Sequence, residues 1–191
     1  MPESLLPVRV QRYWPTFELL GKRHHLSPLL LAAIPDHESS CGESPLMHPR
    51  GPSGTGDWER DKATGKRVGT YGHGRGIWQV DDRAHAAFCA QRLDDGRFAW
   101  EDPLTAGDYV LRNVLLPALR AFKGDIYLAL CAYNCGPGNV RKQLDRLPSA
   151  SSHALRRAVD AVTAHGCYAS SVLYRMGCFA AGQDPESAGV R

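Results

Sequence analysis

The sequence predicts an α+β fold that is mainly helical, with a helical core and a small β-hairpin region. Apolar residues recur at helical spacing along most of the 191 residues. Residues 41–76 depart from this spacing, because they are dense in glycine and proline and contain the one pattern typical of a hairpin. The length fits one domain over residues 1–191, and we expect the polar tail from about residue 182 to be flexible.

The first two helices are predicted over residues 14–25 and 29–39, where apolar residues are spaced for a buried face. Ser27 is a suitable N-cap for the second helix, and Pro28 fits its first position. Pro35 lies inside that helix and removes one backbone hydrogen bond, so we expect a kink one turn before the helix ends.

Glu38 lies at the far end of this apolar second helix. A carboxylate at the edge of a core loses hydration, which raises its pKa toward the range of a general acid. The alternative interpretation is an ordinary solvated helix end, and this segment by itself favours that alternative because perturbed carboxylates are the rarer case.

Loop sequence follows the second helix. Residues 57–60 and 66–69 flank a turn at 61–65 and predict a short hairpin. The glycines of residues 72–76 would allow backbone to approach a ligand closely. A helix over residues 83–93 comes next.

The rest of the chain is predicted to be helical, and its boundaries follow from caps and glycines. Asp102 and Pro103 form a clear start signal, and Pro117 is a candidate kink within the helix that follows. The predicted helices cover residues 103–122, 126–133, 139–147, 151–163 and 168–181.

Composition and charge exclude several classes of function. The net charge of +3 is compatible with an anionic polymer, but the chain lacks the dense basic stripe of a nucleic-acid-binding protein. No apolar stretch is long enough to span a membrane, and the N-terminus shows no secretory signal pattern. The cellular location therefore stays open.

Six cysteines are present, without any Cys-x-x-Cys or other zinc spacing. We therefore expect no metal and no cofactor. Two interpretations of the cysteines remain: small buried residues in a reducing compartment, or one or two disulfides whose pairing the sequence cannot choose. The cysteines are at positions 41, 89, 131, 135, 167 and 178.

Four blocks resemble the goose-type lysozymes and their relatives, the soluble lytic transglycosylases, and they occur in the family's order. The first contains the pair Glu38-Ser39, the second reads Gly-Ile-Trp-Gln-Val-Asp over residues 76–81, the third begins Ala-Tyr-Asn and the fourth begins Tyr-Ala. The blocks span residues 34–42, 74–85, 132–140 and 168–172. Cys135 stands where the family has alanine, and the loop 41–76 is longer than in the bird enzymes.

The resemblance implies a lysozyme-like catalytic domain in which Glu38 is the general acid. Asp81 matches a position that could direct a water molecule, and Asp57 is a further candidate for this second acidic role. Each aspartate also has a structural interpretation: Asp81 as a helix cap, and Asp57 as a turn residue.

The same resemblance implies a set of residues that bind the saccharide. Tyr133 and Tyr168 should flank Glu38, desolvating it with their rings and positioning it or the sugar with their hydroxyls. Core packing is the alternative role for both tyrosines, and a structural role within a helix is the alternative for His85. The remaining candidates are Gln79, Asn134, His85 and Trp78, the last of which replaces a smaller apolar residue and could reshape the cleft.

The implied function is that of a glycoside hydrolase of the lysozyme type, a muramidase that cleaves the β-1,4 bond between N-acetylmuramic acid and N-acetylglucosamine. A lytic transglycosylase that forms 1,6-anhydro-muramyl products is the first alternative. A non-catalytic wall-binding module is the second, and retention of Glu38, Tyr133 and Asn134 argues against it. The expected partner is the peptidoglycan glycan strand, bound by a monomer, with no nucleic acid involved.

Overall fold

Ten α-helices account for most of the residues that the computed structural model describes, namely 3–44, 55–56, 63–64, 66, 72–148 and 151–187. The predicted mainly helical α+β fold is confirmed. The helices are α1 Val8–Gln11, α2 Trp14–His24, α3 Pro28–Ser39, α4 Ala86–Ala90, α5 Pro103–Val110, α6 Leu116–Ala121, α7 Ile126–Cys135, α8 Pro137–Arg146, α9 Ser152–Asp160 and α10 Tyr168–Ala180.

A small antiparallel sheet of three strands in the order β1-β2-β3 completes the described fold: β1 Thr55–Gly56, β2 Gly74–Arg75 and β3 Val80–Asp81. Gly74 pairs with Asp81, and Gly56 pairs with Gly74 from the other side. The hairpin predicted over residues 57–69 lies largely outside the described residues. The strands β2 and β3 were not predicted, because two residues are too few to show an alternating pattern.

Helix α3 lies at the centre of the molecule and packs between α2 and α10. Its side chains Leu31 and Ile34 are fully buried, which explains its uniformly apolar sequence. The helix runs through Pro35 and ends at Ser39. Ser40 then adopts a left-handed conformation with φ of 48°. The carboxyl end of α3 is therefore held at a defined point where a core helix meets the surface.

A buried ion-pair network holds α3 at Asp36, three residues before the helix ends. Asp36 is fully buried and accepts hydrogen bonds from Arg9, at 2.6 Å, and from Arg175. Arg9 also donates to both carboxylate oxygens of Asp184, at 2.8 and 2.9 Å. Residues 182–187 are therefore attached to the N-terminal segment through Asp184, and flexibility of the tail from about residue 182 stays a prediction. Residues 188–191 lie outside the described residues.

The long helix predicted over residues 103–122 contains an irregular segment. A π-helical turn, Leu111–Leu115, separates α5 from α6. Pro117, the second residue of α6, cannot donate to the carbonyl of Asn113, so the regular backbone hydrogen bonding is interrupted at the predicted kink. Val110 and Val114, at the π-helical turn, both face the cleft described below.

Two other helix boundaries differ from the predicted ones. Helix α4 covers Ala86–Ala90 and is shorter than the predicted 83–93, because the residues after Asp81 form a turn before the helix begins. Helix α8 begins at Pro137, two residues earlier than predicted. Gly136, with φ of 83°, ends α7, and Pro137 occupies the first position of the next helix.

Asp160 holds the N-terminus of α10. This residue is 2% exposed, and its carboxylate accepts hydrogen bonds from the backbone N–H groups of Ala169, at 2.9 Å, and Ser170, at 3.0 Å. It also accepts from the hydroxyls of Tyr127, at 2.8 Å, and Thr163, at 3.0 Å. The orphan N–H groups at the start of α10 are thus satisfied by a negative charge from another helix.

We predict that Asp160→Asn lowers the free energy of unfolding by about 1–3 kcal/mol at neutral pH, the cost of weakening bonds to a buried charged group. Burial raises the pKa of Asp160, but hydrogen bonds from Ser170 and Ala169 outweigh it and bring the pKa below its usual value. The stabilisation is therefore complete above the unfolded pKa of about 3.9 and is lost as pH falls through the lower folded pKa.

Urea unfolding of the wild type and the variant, measured at neutral pH and near pH 3, tests this prediction. The stability gap between the two proteins should shrink on acidification. Asp145→Asn is the control, because Asp145 is exposed on α8 and makes no ion pair within the described residues. A gap of the same size at both pH values would contradict the assigned role of the Asp160 charge.

Candidate active site

A cleft of about 520 Å³ lies at the carboxyl end of α3, beside the small sheet. Seven of the nine predicted site residues border it: Glu38, Trp78, Gln79, Asp81, His85, Tyr133 and Asn134. Tyr168 lies behind Glu38, and Asp57 falls outside the described residues. The cleft is also bordered by residues that the sequence did not single out: Ser44, Val80, Arg83, Val110, Val114, Ala164 and His165.

The carboxylate of Glu38 is half-buried and is held by a tyrosine from the last helix. The Tyr168 hydroxyl donates to Glu38 Oε1 at 2.5 Å. The ring of Tyr168 stacks on that of Tyr133, with centroids 6.0 Å apart. Tyr168 therefore contacts the glutamate directly and Tyr133 packs on Tyr168, and the hydrogen bond fixes the orientation of the Glu38 carboxyl group.

The two tyrosine hydroxyls have different tasks. Tyr168 donates to Glu38, whereas Tyr133 donates to the backbone carbonyl of Trp78 at 3.0 Å. Burial, together with the negative charge of Glu38, raises the pKa of each phenol well above its usual value. Both hydroxyls thus remain protonated donors near the glutamate.

His37 packs against Tyr168. Its ring meets that of Tyr168 edge-to-face, with centroids 4.9 Å apart. Burial and the nearby positive charge of Arg175 lower the pKa of His37 to about 4. The imidazole is therefore neutral at physiological pH and packs as an aromatic ring. The sequence did not indicate this role, which depends on a neighbour that is distant in the chain.

Ser39 joins the end of α3 to the glycine-rich block. Its hydroxyl donates to the carbonyl of Ile77 at 2.9 Å and accepts from the N–H of Gly42 at 3.0 Å. The side chain after Glu38 thereby links the end of α3 to the turn between β2 and β3. This gives a physical reason for the Glu-Ser pair.

The glycines of the second block permit close backbone approach at two positions. A Cβ at Gly74 would lie 2.2 Å from Gln79 Oε1, and a Cβ at Gly76, where φ is 66°, would lie 2.4 Å from the Trp100 carbonyl oxygen. Gln79 has φ of 50° and donates from Nε2 to the Gly76 carbonyl at 2.7 Å. Its amide group is thus held at the cleft by the β2–β3 turn.

Asp81 borders the cleft, and its carboxylate is paired with the guanidinium group of Arg83. Arg83 donates to Oδ2 at 2.6 Å, and to Oδ1 from Nε at 3.0 Å and from its backbone N–H at 2.8 Å. These bonds lower the pKa of Asp81 against the opposing effect of burial. The carboxylate therefore acts as a turn cap and as the partner of Arg83, which is close to the structural alternative considered from the sequence.

Two other predicted site residues, Trp78 and His85, have partners within the protein. The side chain of Trp78 is fully buried, packs edge-to-face on Phe17 at 6.0 Å and donates from Nε1 to the Pro103 carbonyl at 3.0 Å. Its indole packs in the core while the residue also borders the cleft, and an influence of Trp78 on the shape of the sugar cleft stays a prediction. His85 borders the cleft and shares a hydrogen bond of 3.0 Å between its Nδ1 and the Tyr109 hydroxyl.

The side chain of Asn134 borders the cleft and binds the backbone of the turn before α10. Its Oδ1 accepts from the N–H of Ala164 at 2.7 Å and so holds the turn Ala164–Gly166 between α9 and α10. This turn brings His165 to the cleft wall. The sequence did not indicate His165, because its position depends on a contact between residues that are 30 apart in the chain.

The described residues contain no group of three His, Cys, Asp or Glu side chains that could hold a metal ion. All six cysteines are described and are free thiols in this structure; Cys41, Cys131 and Cys178 are buried, whereas Cys167 is exposed. Within the same part of the chain, none of the helices is long and apolar enough to cross a membrane.

Comparison with known families adds to this geometry. The family model of the transglycosylase SLT domain matches residues 16–155, which is more than half of the chain and contains Glu38, Asp81, Tyr133 and Asn134. Tyr168 and the rest of α10 follow the matched region. No curated protein matches the sequence. The match supports a lysozyme-like, peptidoglycan-acting domain, and it does not single out the goose-type lysozymes.

We predict that Tyr168→Phe slows the cleavage of peptidoglycan roughly tenfold to a hundredfold, since it removes a hydrogen bond to a charged group at the reacting residue. Tyr133→Phe removes a bond to a neutral carbonyl, so its effect should be smaller, about twofold to tenfold. The initial rate of wall solubilisation is the measurement.

Tyr174→Phe provides the control for both tyrosine variants, because Tyr174 is exposed on α10, the helix that carries Tyr168, and does not border the cleft. Its rate should equal that of the wild type. A Tyr168→Phe protein with an unchanged rate would show that the hydroxyl does not position the glutamate.

Proposed function

We propose that this chain, which belongs to the transglycosylase SLT domain family, is a lytic transglycosylase. It cleaves the β-1,4 bond between N-acetylmuramic acid and N-acetylglucosamine and leaves a 1,6-anhydro-muramyl end. The observation that carries the proposal is the unequal state of the two carboxylates at the cleft. Glu38 is oriented by a protonated tyrosine, whereas Asp81 is bonded through both oxygens to Arg83.

One carboxyl group is sufficient for this reaction. Glu38, in its protonated form, gives its proton to the glycosidic oxygen as the bond from that oxygen to C1 of muramic acid breaks, with an oxocarbenium-like transition state. The resulting carboxylate then takes the proton of the muramic acid 6-hydroxyl while that oxygen bonds to C1. The proton balance closes on Glu38, and no water molecule enters.

The surroundings of Glu38 suit both halves of this cycle. The Tyr168 hydroxyl stabilises the carboxylate form by donating to Oε1, and the stacked rings of Tyr168 and Tyr133 exclude water from one side. Exclusion of water favours the internal hydroxyl over a solvent molecule as the nucleophile. The half-buried position at the end of α3 leaves the carboxyl group accessible from the cleft.

The hydrolase expected from the sequence needs a carboxylate that activates water. For Asp81 this would require Arg83 to release it, because hydrogen bonds from that arginine lower the pKa of Asp81 and make it a weaker base. The family match also supports transglycosylation better than hydrolysis. A module that only binds walls has no use for the Tyr168–Glu38 contact, which places a donor on the candidate acid.

We predict that Glu38→Gln reduces turnover by about 10²–10⁴-fold, the range for a lost general acid, while the fold is retained. Glutamine has the shape of glutamate but cannot supply the proton. Glu43→Gln is the matched control, because Glu43 lies just beyond the same helix and pairs with Arg12 at the surface. Wild-type lysis by the Glu38 variant would remove Glu38 from the mechanism.

The reaction products distinguish transglycosylation from hydrolysis. We expect mass spectrometry of digested walls to find anhydro-muramyl ends, lighter by one water molecule than reducing ends, with no label incorporated from heavy-oxygen water. Asp81→Asn should leave this product pattern unchanged, since the proposed reaction uses no second carboxylate. Labelled reducing ends, together with a large rate loss in Asp81→Asn, would instead establish the hydrolase.

A further inference from the structure

His165 has an unfavourable backbone conformation at the wall of the cleft. With φ of 59° and ψ of 6°, it lies in the left-handed region that residues other than glycine rarely adopt. The next residue, Gly166, has φ of 70° and adopts this region without strain. Glycine would also be the undemanding choice at position 165, yet the chain carries an imidazole there.

The backbone of this turn is held firmly on both sides. Ala164 donates to Asn134 Oδ1 at 2.7 Å, and Gly166 donates to the Thr163 carbonyl at 3.0 Å. Thr163 is itself buried and bonded to Asp160, at 2.6 Å to the carbonyl and 3.0 Å to the carboxylate. Strained conformations persist where the surrounding structure imposes them, and they are concentrated at functional sites.

The imidazole of His165 is exposed and borders the same cleft as Glu38 and Tyr133. In the part of the chain that the structure describes, no hydrogen bond or ion pair involves this ring. A neutral imidazole carries one N–H donor and one acceptor nitrogen. The fold therefore holds the backbone of His165 rigidly and leaves its side chain available to a ligand in the cleft.

We propose that His165 is a saccharide-contact residue whose imidazole N–H donates to an amide carbonyl oxygen of the bound glycan strand. The inference rests on the proposed function only in taking a glycan as the ligand. Amide carbonyls occur in two places on peptidoglycan: the N-acetyl groups of both sugars, and the amide that joins the lactyl group of muramic acid to the stem peptide. Because Glu38 makes both proton transfers of the proposed reaction, His165 is assigned to the affinity for the glycan rather than to the chemical step.

The test is His165→Gly, compared with His25→Gly. His25 is an ideal control, because it is an exposed histidine with φ of 56° at the end of α2, outside the cleft. Both glycine variants should keep or raise the melting temperature, since glycine adopts positive φ without strain. Only His165→Gly should weaken binding, by roughly fivefold for one hydrogen bond. His165→Gln, which retains a donor, should recover part of the loss.

Binding is measured by calorimetry in the Glu38→Gln background, so that the ligands are not cleaved. The probes are chitotetraose, which carries only N-acetyl amides, and a tetrasaccharide of alternating N-acetylglucosamine and N-acetylmuramic acid with its stem peptides. A fivefold loss with both probes assigns the contact to an N-acetyl group, and a loss with the second probe alone assigns it to the lactyl amide. Unchanged affinity for both probes in His165→Gly overturns the inference.

Steady-state kinetics of the variants with an intact Glu38 provide a second readout. A contact made in the bound state should raise KM about fivefold and leave kcat nearly unchanged. If His165→Gly lowers kcat alone, the residue acts on the chemical step and the proposed role is wrong. The proposed function fails separately: reducing-end products would refute transglycosylation while leaving the binding comparison intact.

Discussion

The hydrogen bond from the Tyr168 hydroxyl to Glu38 is the contact on which the rest of the site depends. It joins side chains from two helices that are 130 positions apart in the chain, so the fold must fix both helices for the bond to exist. Ser39 and the Asp36 ion pairs fix the end of α3, and Asp160 fixes the start of α10. These buried polar groups lie within one or two turns of the site, where a shift of an ångström would separate the donor from the carboxylate. The apolar core supplies the stability, and the polar contacts supply the precision.

Several polar side chains at the cleft are hydrogen-bonded to other groups of the protein. Tyr133 donates to a backbone carbonyl, and Asn134 holds the turn that carries His165. The carboxylate of Asp81 forms an ion pair with Arg83. Groups that are bound to the protein need little reorganisation during a reaction, and this is the physical basis of electrostatic preorganisation. A site arranged in this way suits a reaction in which the substrate provides its own nucleophile. It suits less well a reaction that must capture and orient a water molecule.

The helices could be predicted from the sequence because each depends on local information. Caps and prolines placed the start of α2, α3 and α5 within one residue of the structure. The position of Glu38 at the end of a buried helix was visible for the same reason. Contacts between distant segments could not be predicted: the burial of Trp78 in the core, the ring of His37 against Tyr168, and the Asp160 cap of α10. Periodicity shows that a residue is buried or exposed, but it does not show which partner it meets. The size of Trp78 suggested an effect on the cleft, but the sequence did not show its packing against Phe17 or its bond to the Pro103 carbonyl.

The Asp36 ion pairs extend beyond the region that the family model matches. The region matched by the family model, residues 16–155, contains Asp36 but none of its partners, since Arg9 precedes that region and Arg175 follows it. A protein cut to the matched boundaries would lose both arginines that pair with Asp36, the helix α10 that packs on α3, and Tyr168. The region that the family model matches therefore lacks three residues, Arg9, Tyr168 and Arg175, that hold the end of α3 and Glu38 in place. Any attempt to graft this catalytic unit onto another protein should take its boundaries from the ion pairs of Asp36, and include both arginines, rather than from the extent of the sequence match.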